Sequence, residues 1–225
     1  MNALGDTHSV ETSGAHAAPD LQFENLEQQH ATRVFGMWIF LVTELMLFGA
    51  LFLMYTVYRA FYPAAFAEGS RHLDLALGGI NTAVLIVSSL CIALAIHAAR
   101  TSAKRSQLAL WLLAAAVLGI VFMVIKGYEY FLHYQNGEMP VFNWTLTGAG
   151  AGHVQLFFWL YFAMTGVHAI HLSIGIALVG IMILRALLGN FKPNAYTPLE
   201  MTGLYWHFVD IIWIFLLPLL YLIAR

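Results

Sequence analysis

The sequence predicts an all-α membrane protein whose five transmembrane helices form a bundle. Of its 225 residues, 60% are hydrophobic and only 10% are charged, which is too few charges to cover the surface of a soluble protein. Five apolar segments each exceed the roughly 20 residues that cross the hydrocarbon core of a bilayer. Ionisable side chains also lie inside these segments, where each charge is disfavoured by about 2.5–3.5 kcal/mol on insertion scales. These side chains are therefore the first candidates for functional or assembly sites.

The five predicted spans cover residues 34–58, 75–99, 108–133, 154–184 and 203–224. Each must be helical in lipid, because the bilayer offers the backbone no water and none of the segments alternates like a barrel strand. The connectors contain helix-breaking residues, namely Pro63, Pro140, the glycine-rich stretch 148–152, Pro193 and Pro198.

The first 33 residues differ in composition from the rest of the chain. They hold five acidic residues among Ser, Thr, His and Ala, and they lack the basic start and short apolar stretch of a secretory signal. We therefore expect residues 1–33 to be a polar N-terminal tail and residues 34–225 to be one five-helix transmembrane domain. The first span itself is expected to direct insertion.

The distribution of Lys and Arg predicts the orientation, because basic residues near helix ends are retained in the cytoplasm. Six of them fall on the face formed by the tail and the second and fourth connectors: Arg33, Arg100, Lys104, Arg105, Arg185 and Lys192. The opposite face holds Arg59, Arg71 and Arg225. The N-terminus is thus predicted inside and the C-terminus outside.

Charge and cysteine content exclude two classes of function. The formal net charge is −2, so no polybasic surface indicates nucleic-acid binding. The single cysteine, Cys91, excludes an intrachain disulfide and any thiolate cluster built from this chain.

Helical rise predicts two layers of polar side chains. At 1.5 Å per residue, Glu44 lies about 15 Å, Asp210 about 10 Å and His171 about 20 Å from the inner face. We expect these three side chains to share one inner layer. Lys126 and Glu129 are expected near the outer surface instead, at the level of Asn81 and Thr82.

Glu44 lies in an apolar stretch with no basic residue within one helical turn. One interpretation is a protonated carboxyl that hydrogen-bonds to a neighbouring helix. The other is a carboxyl that exchanges protons with a partner's pathway. In both we expect Glu44 to be neutral at pH 7, because burial disfavours the charged form.

Lys126 and Glu129 are three residues apart and so share one side of a helix, where their charges can neutralise each other. A pair of this kind near the membrane surface is predicted to be structural. Asn81, Thr82, Ser88 and Ser89 are likewise interpreted as interhelical hydrogen-bonding residues.

His168 and His171 have the same spacing, so they could in principle bind a metal or a haem. Coordination needs further ligands at that depth, and we expect only His207 as a third imidazole within the membrane. The sequence therefore predicts no metal site. His207 and Asp210 open the last span and could form the carboxylate-to-imidazole bond that fixes a His tautomer.

From about Phe35 onward the chain resembles subunit III of the haem-copper oxidases. Landmarks of that family occur in its order on all five spans: Trp38 with Glu44; Ile80, Asn81 and Thr82 with Ser88 and Ser89; Gly119, Phe122, Glu129 and Tyr130; residues 165–171 with Gly175; and Glu200, residues 205–210 and Trp213.

The resemblance implies an accessory subunit of a proton-pumping terminal oxidase in the bacterial cytoplasmic membrane. Such a subunit binds the catalytic subunit I, assembles with subunit II and a small subunit IV, holds phospholipid and sustains proton uptake, while haem and copper lie in its partners. Glu44 matches the family's membrane-buried glutamate, and Arg185 matches an arginine that contacts lipid head groups. The chain resembles the five-helix bacterial form, without the first two helices of the seven-helix members.

Within the family, a cytochrome c oxidase is the first hypothesis, and a quinol oxidase or a nitric oxide reductase accessory protein is the alternative. An alternative of another class is an independent proton-coupled transporter that uses Glu44 and His171. A transporter would be expected to show inverted repeats or broken helices, and the sequence shows neither.

Overall fold

The computed structural model describes residues 26–101, 105–148, 150–188 and 197–223, and within these ranges it contains six helices and no strand. The helices are α1 (Leu26–Phe61), α2 (Pro63–Arg71), α3 (Leu75–Arg100), α4 (Arg105–Gln135), α5 (Ala151–Leu187) and α6 (Thr197–Tyr221). All except α2 are long and apolar enough to cross a membrane. The predicted fold class, with five transmembrane helices, is confirmed. The predicted orientation of the termini stays a prediction.

The chain divides into two units, Met1–Trp38 and Ile39–Arg225. In the first unit the described residues form the beginning of α1, and their described side chains are exposed or half-exposed. The described part of helix α1 starts at Leu26, within the segment predicted as a tail. The predicted boundary between residues 33 and 34 stays a prediction.

The short helix α2 lies in a connector for which the sequence indicated only a break. Pro63 occupies its first turn, where the fixed φ of proline suits a helix and the missing N–H leaves no bond unmade. The Phe66 ring is fully buried, with its centroid 5.2 Å from that of Tyr55 and 5.6 Å from that of Phe157. A Cβ at Gly69 would meet the Phe157 ring at 2.3 Å, so α2 lies directly against α5.

Helices α3 to α6 pack in a ring in which α3 and α5 each contact both α4 and α6. Close contact occurs where glycine faces the Trp206 indole of α6, at Gly119 of α4 and Gly175 of α5. The Trp206 Nε1 donates to the Ser88 hydroxyl, which in turn donates to the Ala115 carbonyl. The core of the larger unit is therefore fixed by aromatic packing and by hydrogen bonds between helices.

Ordered ends of helices position the polar groups described below. Asp74 caps α3 by accepting from the backbone N–H of Ala76 at 2.8 Å. After α4 the chain turns through Gly137, whose φ of 72° suits glycine, and returns so that the Thr145 N–H donates to the Gly137 carbonyl. This turn holds Glu138 against the end of α4.

Candidate functional site

Glu44 and His171 form a polar contact between α1 and α5. The Glu44 Oε2 lies 2.8 Å from the His171 Nε2, and the two side chains are 18% and 12% exposed. The isolation of Glu44 expected from the sequence is therefore not found, because its partner comes from another helix. The protonation state of Glu44 stays a prediction.

The backbone determines which ring nitrogen of His171 carries a proton. The His171 Nδ1 lies 2.8 Å from the Val167 carbonyl, which can only accept, so Nδ1 is the protonated nitrogen. The Nε2 must then either accept a proton from a neutral Glu44 or donate one to an ionised Glu44. In both forms one proton is shared across the 2.8 Å gap. The Tyr205 hydroxyl, donating to the His171 carbonyl at 3.0 Å, and the Phe48 ring support this arrangement.

Lys126 and Glu129 lie at the centre of a second, fully interior polar cluster. The Lys126 Nζ donates to Glu129 Oε2 at 2.9 Å, and both side chains are at most 6% exposed. Lys126 also donates to the hydroxyls of Tyr161 at 3.0 Å and Tyr221 at 2.9 Å, and each hydroxyl donates to Glu129 Oε1. Residues three apart on α4 are thus joined to α5 and α6.

The ammonium of Lys126 is surrounded by aromatic rings, with its Nζ 5.1 Å from the ring centres of both Tyr161 and Trp213. Ring faces attract cations within about 6 Å, which adds to the ion pair. The Trp213 Nε1 donates to Thr82, so the Thr82 side chain lies at the level of Lys126, and the position of this level near the outer surface stays a prediction.

A third cluster joins α2, α4 and the connector after α4. The Glu138 carboxylate accepts hydrogen bonds from His72 Nδ1 at 2.7 Å and from His133 Nδ1 at 2.5 Å. Burial by itself raises the pKa of Glu138, but the hydrogen bonds and positive charge of His133 and His72 outweigh it and lower this pKa below its ordinary value of 4.5. The Glu138 carboxyl therefore remains ionised at neutral pH.

The structure contradicts the expected bond between His207 and Asp210. The His207 Nδ1 lies 2.6 Å from the Ser89 hydroxyl of α3, whereas the buried Asp210 oxygens make no hydrogen bond among the described residues. Residues three apart on a helix point about 60° apart, so His207 turns toward α3 while Asp210 points into the core. Ser89 also lies beside Asp210, without reaching hydrogen-bonding geometry.

His168 and Asn81 are fully buried, and the polar atoms of both side chains make no hydrogen bond within the described part of the chain. The His168 ring packs against Phe122 and Trp213, at centroid distances of 5.6 and 5.1 Å. His168 and His171 thus turn to different surroundings despite their matching spacing.

Arg185 lies in the last turn of α5, where its side chain is exposed. Among the described residues no group of three or more His, Cys, Asp or Glu has the arrangement of a metal site. The three imidazoles considered in the sequence point toward α1, α3 and the aromatic core, and this divergence does not suit the axial ligation of a haem.

Sequence reasoning missed the side chains that complete these clusters. His133 is a further buried imidazole at the end of α4, and His72 and Glu138 lie outside the spans. Tyr161 and Tyr221 lie in apolar runs, where a tyrosine is expected to be core or interface packing. The only sequence signal for their role was that a tyrosine hydroxyl at the depth of Lys126 can reach it.

Comparison with known proteins gives a consistent result. Residues 21–225 match the family model described as cytochrome c oxidase subunit III. The cytochrome c oxidase subunit 3 of Synechocystis sp. is 34% identical, over 95% of this chain and 80% of that protein. The protein of the same name in Thermostichus vulcanus is 32% identical, over 96% and 98%. The probable quinol oxidase subunit 3 of Staphylococcus saprophyticus is 32% identical, over 84% and 88%.

Proposed function

We propose that this chain, which belongs to the cytochrome c oxidase subunit III family, supports proton uptake by a bacterial terminal oxidase without itself carrying a redox centre. As subunit III of a haem-copper oxidase it is a multi-pass membrane protein of a respiratory oxidase complex. Within that complex, the chain is proposed to contact the catalytic subunit I directly and to lie in the bacterial cytoplasmic membrane. Haem and copper are assigned to the partner subunits, subunit II among them, because the histidines of this chain diverge.

The contact between Glu44 and His171 carries the proposal. A carboxyl and an imidazole 2.8 Å apart share one proton, and both keep some exposure on the surface of their helices. A neighbouring subunit can therefore exchange a proton with the pair without unfolding it. The Lys126–Glu129 pair is buried, so a neighbouring subunit has no direct contact with it.

Replacing Glu44 by Gln tests this role, because Gln keeps the shape and a hydrogen-bonding arm but cannot titrate. In reconstituted vesicles we expect Glu44→Gln to sustain oxygen reduction at first but to lose proton pumping over many turnovers. His171→Gln should behave alike. Thr43→Val is the matched control, because the Thr43 hydroxyl bonds only the Phe40 carbonyl of its own helix.

Two results would count against this role. If Glu44→Gln pumps as long and as well as the parent, Glu44 is a structural hydrogen-bonding residue. If oxygen reduction stops at once, the subunit is not accessory.

Cytochrome c is the proposed electron donor. The two relatives that match 95% and 96% of the chain are named cytochrome c oxidase subunit 3, while relatives of either name match 84% of it. The purified complex should therefore oxidise reduced cytochrome c. Oxidation of quinol but not cytochrome c would favour the quinol oxidase alternative, and the subunit composition and optical spectrum would identify the partners and haem types.

Arg185 is proposed to contact phospholipid head groups, since an exposed cation at a helix end lies where head groups begin. Arg185→Gln should lower the amount of anionic lipid that co-purifies with the complex. Arg185→Lys, which keeps the charge, is the control.

A further inference from the structure

Titratable side chains run in sequence from the exposed end of α2 to the buried Lys126–Glu129 pair. The exposed start is Glu68, whose Oε1 lies 3.8 Å from His72 Nε2. The next contacts are His72 Nδ1 to Glu138 at 2.7 Å and Glu138 to His133 Nδ1 at 2.5 Å. Exposure falls along the series, from 51% for the Glu68 side chain to 4% for that of His133.

His133 is the last and most buried side chain of this series. Its Nδ1 faces the Glu138 carboxylate, which can only accept, so this nitrogen carries a proton. Its Nε2 lies on the opposite side of the ring, is buried, and makes no hydrogen bond to any described residue. The rings of Phe158, Tyr161 and Phe162 surround the imidazole at centroid distances of 5.5 to 6.0 Å and fix its orientation.

The interior cluster lies next to His133. His133 and Glu129 are four residues apart on α4 and therefore share one side of the helix. The Tyr161 ring packs against His133 at 5.6 Å, and its hydroxyl donates to Glu129 Oε1 at 2.9 Å. Two steps lack a direct hydrogen bond: the one from Glu68 to His72, at 3.8 Å, and the one from His133 Nε2 to this hydroxyl and carboxylate.

We propose that the Lys126–Glu129 pair is a proton-exchange site, connected to the aqueous phase at the α2 end through Glu138 and His133. This connection requires one water between His133 Nε2 and the Tyr161 hydroxyl, which would supply two of the polar partners that a buried water needs. This site is separate from the Glu44–His171 pair and does not depend on the role proposed for that pair.

Each transfer conserves protons and charge. In the outward direction the bridging water gives a proton to His133 Nε2 and recovers one from the interior cluster. His133 then releases its Nδ1 proton to the Glu138 carboxylate. Glu138 gives the proton to His72 Nδ1, which accepts it when His72 carries its own proton on Nε2, and His72 then releases the Nε2 proton to solvent. The inward steps are the reverse, so the proton of His133 alternates between Nδ1 and Nε2.

The groups that face this path come from every helix packed around it. They are Glu68, Arg71 and His72 at the end of α2, Lys126, Glu129, Tyr130 and His133 on α4, Glu138 in the connector, Tyr161 on α5 and Tyr221 on α6.

Deuterium exchange at the Lys126 ammonium tests the proposal. The lysines of the sequence are Lys104, Lys126 and Lys192, so changing Lys104 and Lys192 to Arg leaves Lys126 as the single labelled site. The full chain, with ¹⁵N at the lysine Nζ, is placed in lipid vesicles and transferred to D₂O. Loss of the Nζ–H signal is followed by magnetic resonance together with the backbone amides of α4.

His133→Phe keeps the aromatic packing and removes the relay, and Glu138→Gln removes the carboxylate that receives the proton. Each is expected to slow exchange at Lys126 by roughly 100-fold, the lower end of what a positioned proton-transfer group contributes. His153→Phe is the matched control, because His153 is an imidazole at the same end that stacks on Tyr62 at 3.9 Å and lies outside the path. The exchange rate at Lys126 in His153→Phe should equal that in the parent.

Two outcomes would overturn the proposal. One is equal exchange in the parent and in His133→Phe. The other is exchange at Lys126 that only keeps pace with the α4 backbone amides, which would show opening of the helix. Glu138→Gln gives an independent answer should His133→Phe not fold, because weakening the connector by itself would speed exchange rather than slow it.

Discussion

At the scale of single residues, Glu129 joins three of the described helices. It accepts from the Lys126 ammonium and from the hydroxyls of Tyr161 and Tyr221, which come from two other helices. Pairing a buried charge adds little to stability, but removing one partner leaves the other uncompensated. The cluster therefore fixes how α4, α5 and α6 meet rather than simply adding energy.

Lys126→Met is predicted to destabilise the full chain by about 3–5 kcal/mol, because the Glu129 carboxylate then lacks its cation. Unfolding in detergent micelles measures the loss. The double variant Lys126→Met with Glu129→Leu removes both charges and should lose less than the two single variants added together. Strict additivity would mean that the two side chains do not act as a pair.

Glu138 gives a prediction with a defined pH dependence. Its folded pKa lies below the ordinary 4.5, so its stabilising contribution is complete above that value and is lost as the pH falls through the lowered folded pKa. Glu138→Gln should cost about 1–3 kcal/mol at pH 7, as expected for lost hydrogen bonds to a charged group. The difference from the parent should shrink as the pH falls below 4.5.

Thermal unfolding of both chains between pH 3 and pH 8 provides the measurement. Glu68→Gln is the control, since this half-exposed carboxyl pairs at the surface with Arg71 and His72 and should change stability little. A stability difference between Glu138→Gln and the parent that stays constant across this pH range would contradict the lowered pKa of Glu138.

At the scale of helices, close approach depends on a few glycines. A Cβ at Gly119 would lie 2.9 Å from the Trp206 indole, which is fully buried and cannot move aside. Gly119→Ala is therefore predicted to destabilise the contact of α4 with α6 by about 1–3 kcal/mol. Gly127→Ala on the same helix meets nothing within 4 Å and should be neutral or slightly stabilising. Equal unfolding midpoints for the two variants would show that this contact is not tightly packed.

The helices also show what sequence patterns can predict. Long apolar runs located the five spanning helices, because a span is defined by length and hydropathy over many residues. Helix α2 was missed because its nine residues are not uniformly apolar and Pro63 indicated only a break, although proline also suits a first turn. Short segments depend on contacts such as that of Phe66 with Phe157, which local sequence does not contain.

The polar clusters were predicted only where both partners lie on one helix or share a depth. The spacing of Lys126 and Glu129 indicated their pairing, and similar predicted depths placed Glu44 and His171 in one layer. Spacing misled for His207 and Asp210, because three residues along a helix do not determine which neighbour each side chain meets. Tyr161 and Tyr221 join Glu129 from 32 and 92 residues away, and such distances leave no local pattern.

At the scale of the whole molecule, the polar clusters lie at different levels along the helices. The side of the membrane to which each cluster is closer therefore depends on the orientation of the chain. The bias of Lys and Arg predicts the N-terminus inside. The connector before α4 is then cytoplasmic, and the connector after α4, which carries Glu138, faces outward. In this orientation Glu44 and His171 lie toward the cytoplasm, which is the side that the proposed proton uptake requires.

Labelling of single cysteines tests this orientation. In a Cys91→Ser background, Ser106→Cys at the start of α4 and Asn136→Cys just after its end place exposed thiols at opposite ends of one helix. In intact cells whose outer barrier has been removed, a membrane-impermeant maleimide should label Asn136→Cys at once and Ser106→Cys only after lysis. Each variant is the control for the other, because both sit on the same helix. Labelling in the reverse order would place Glu138 inside and Glu44 outside, and the proposed uptake of cytoplasmic protons through Glu44 would then fail.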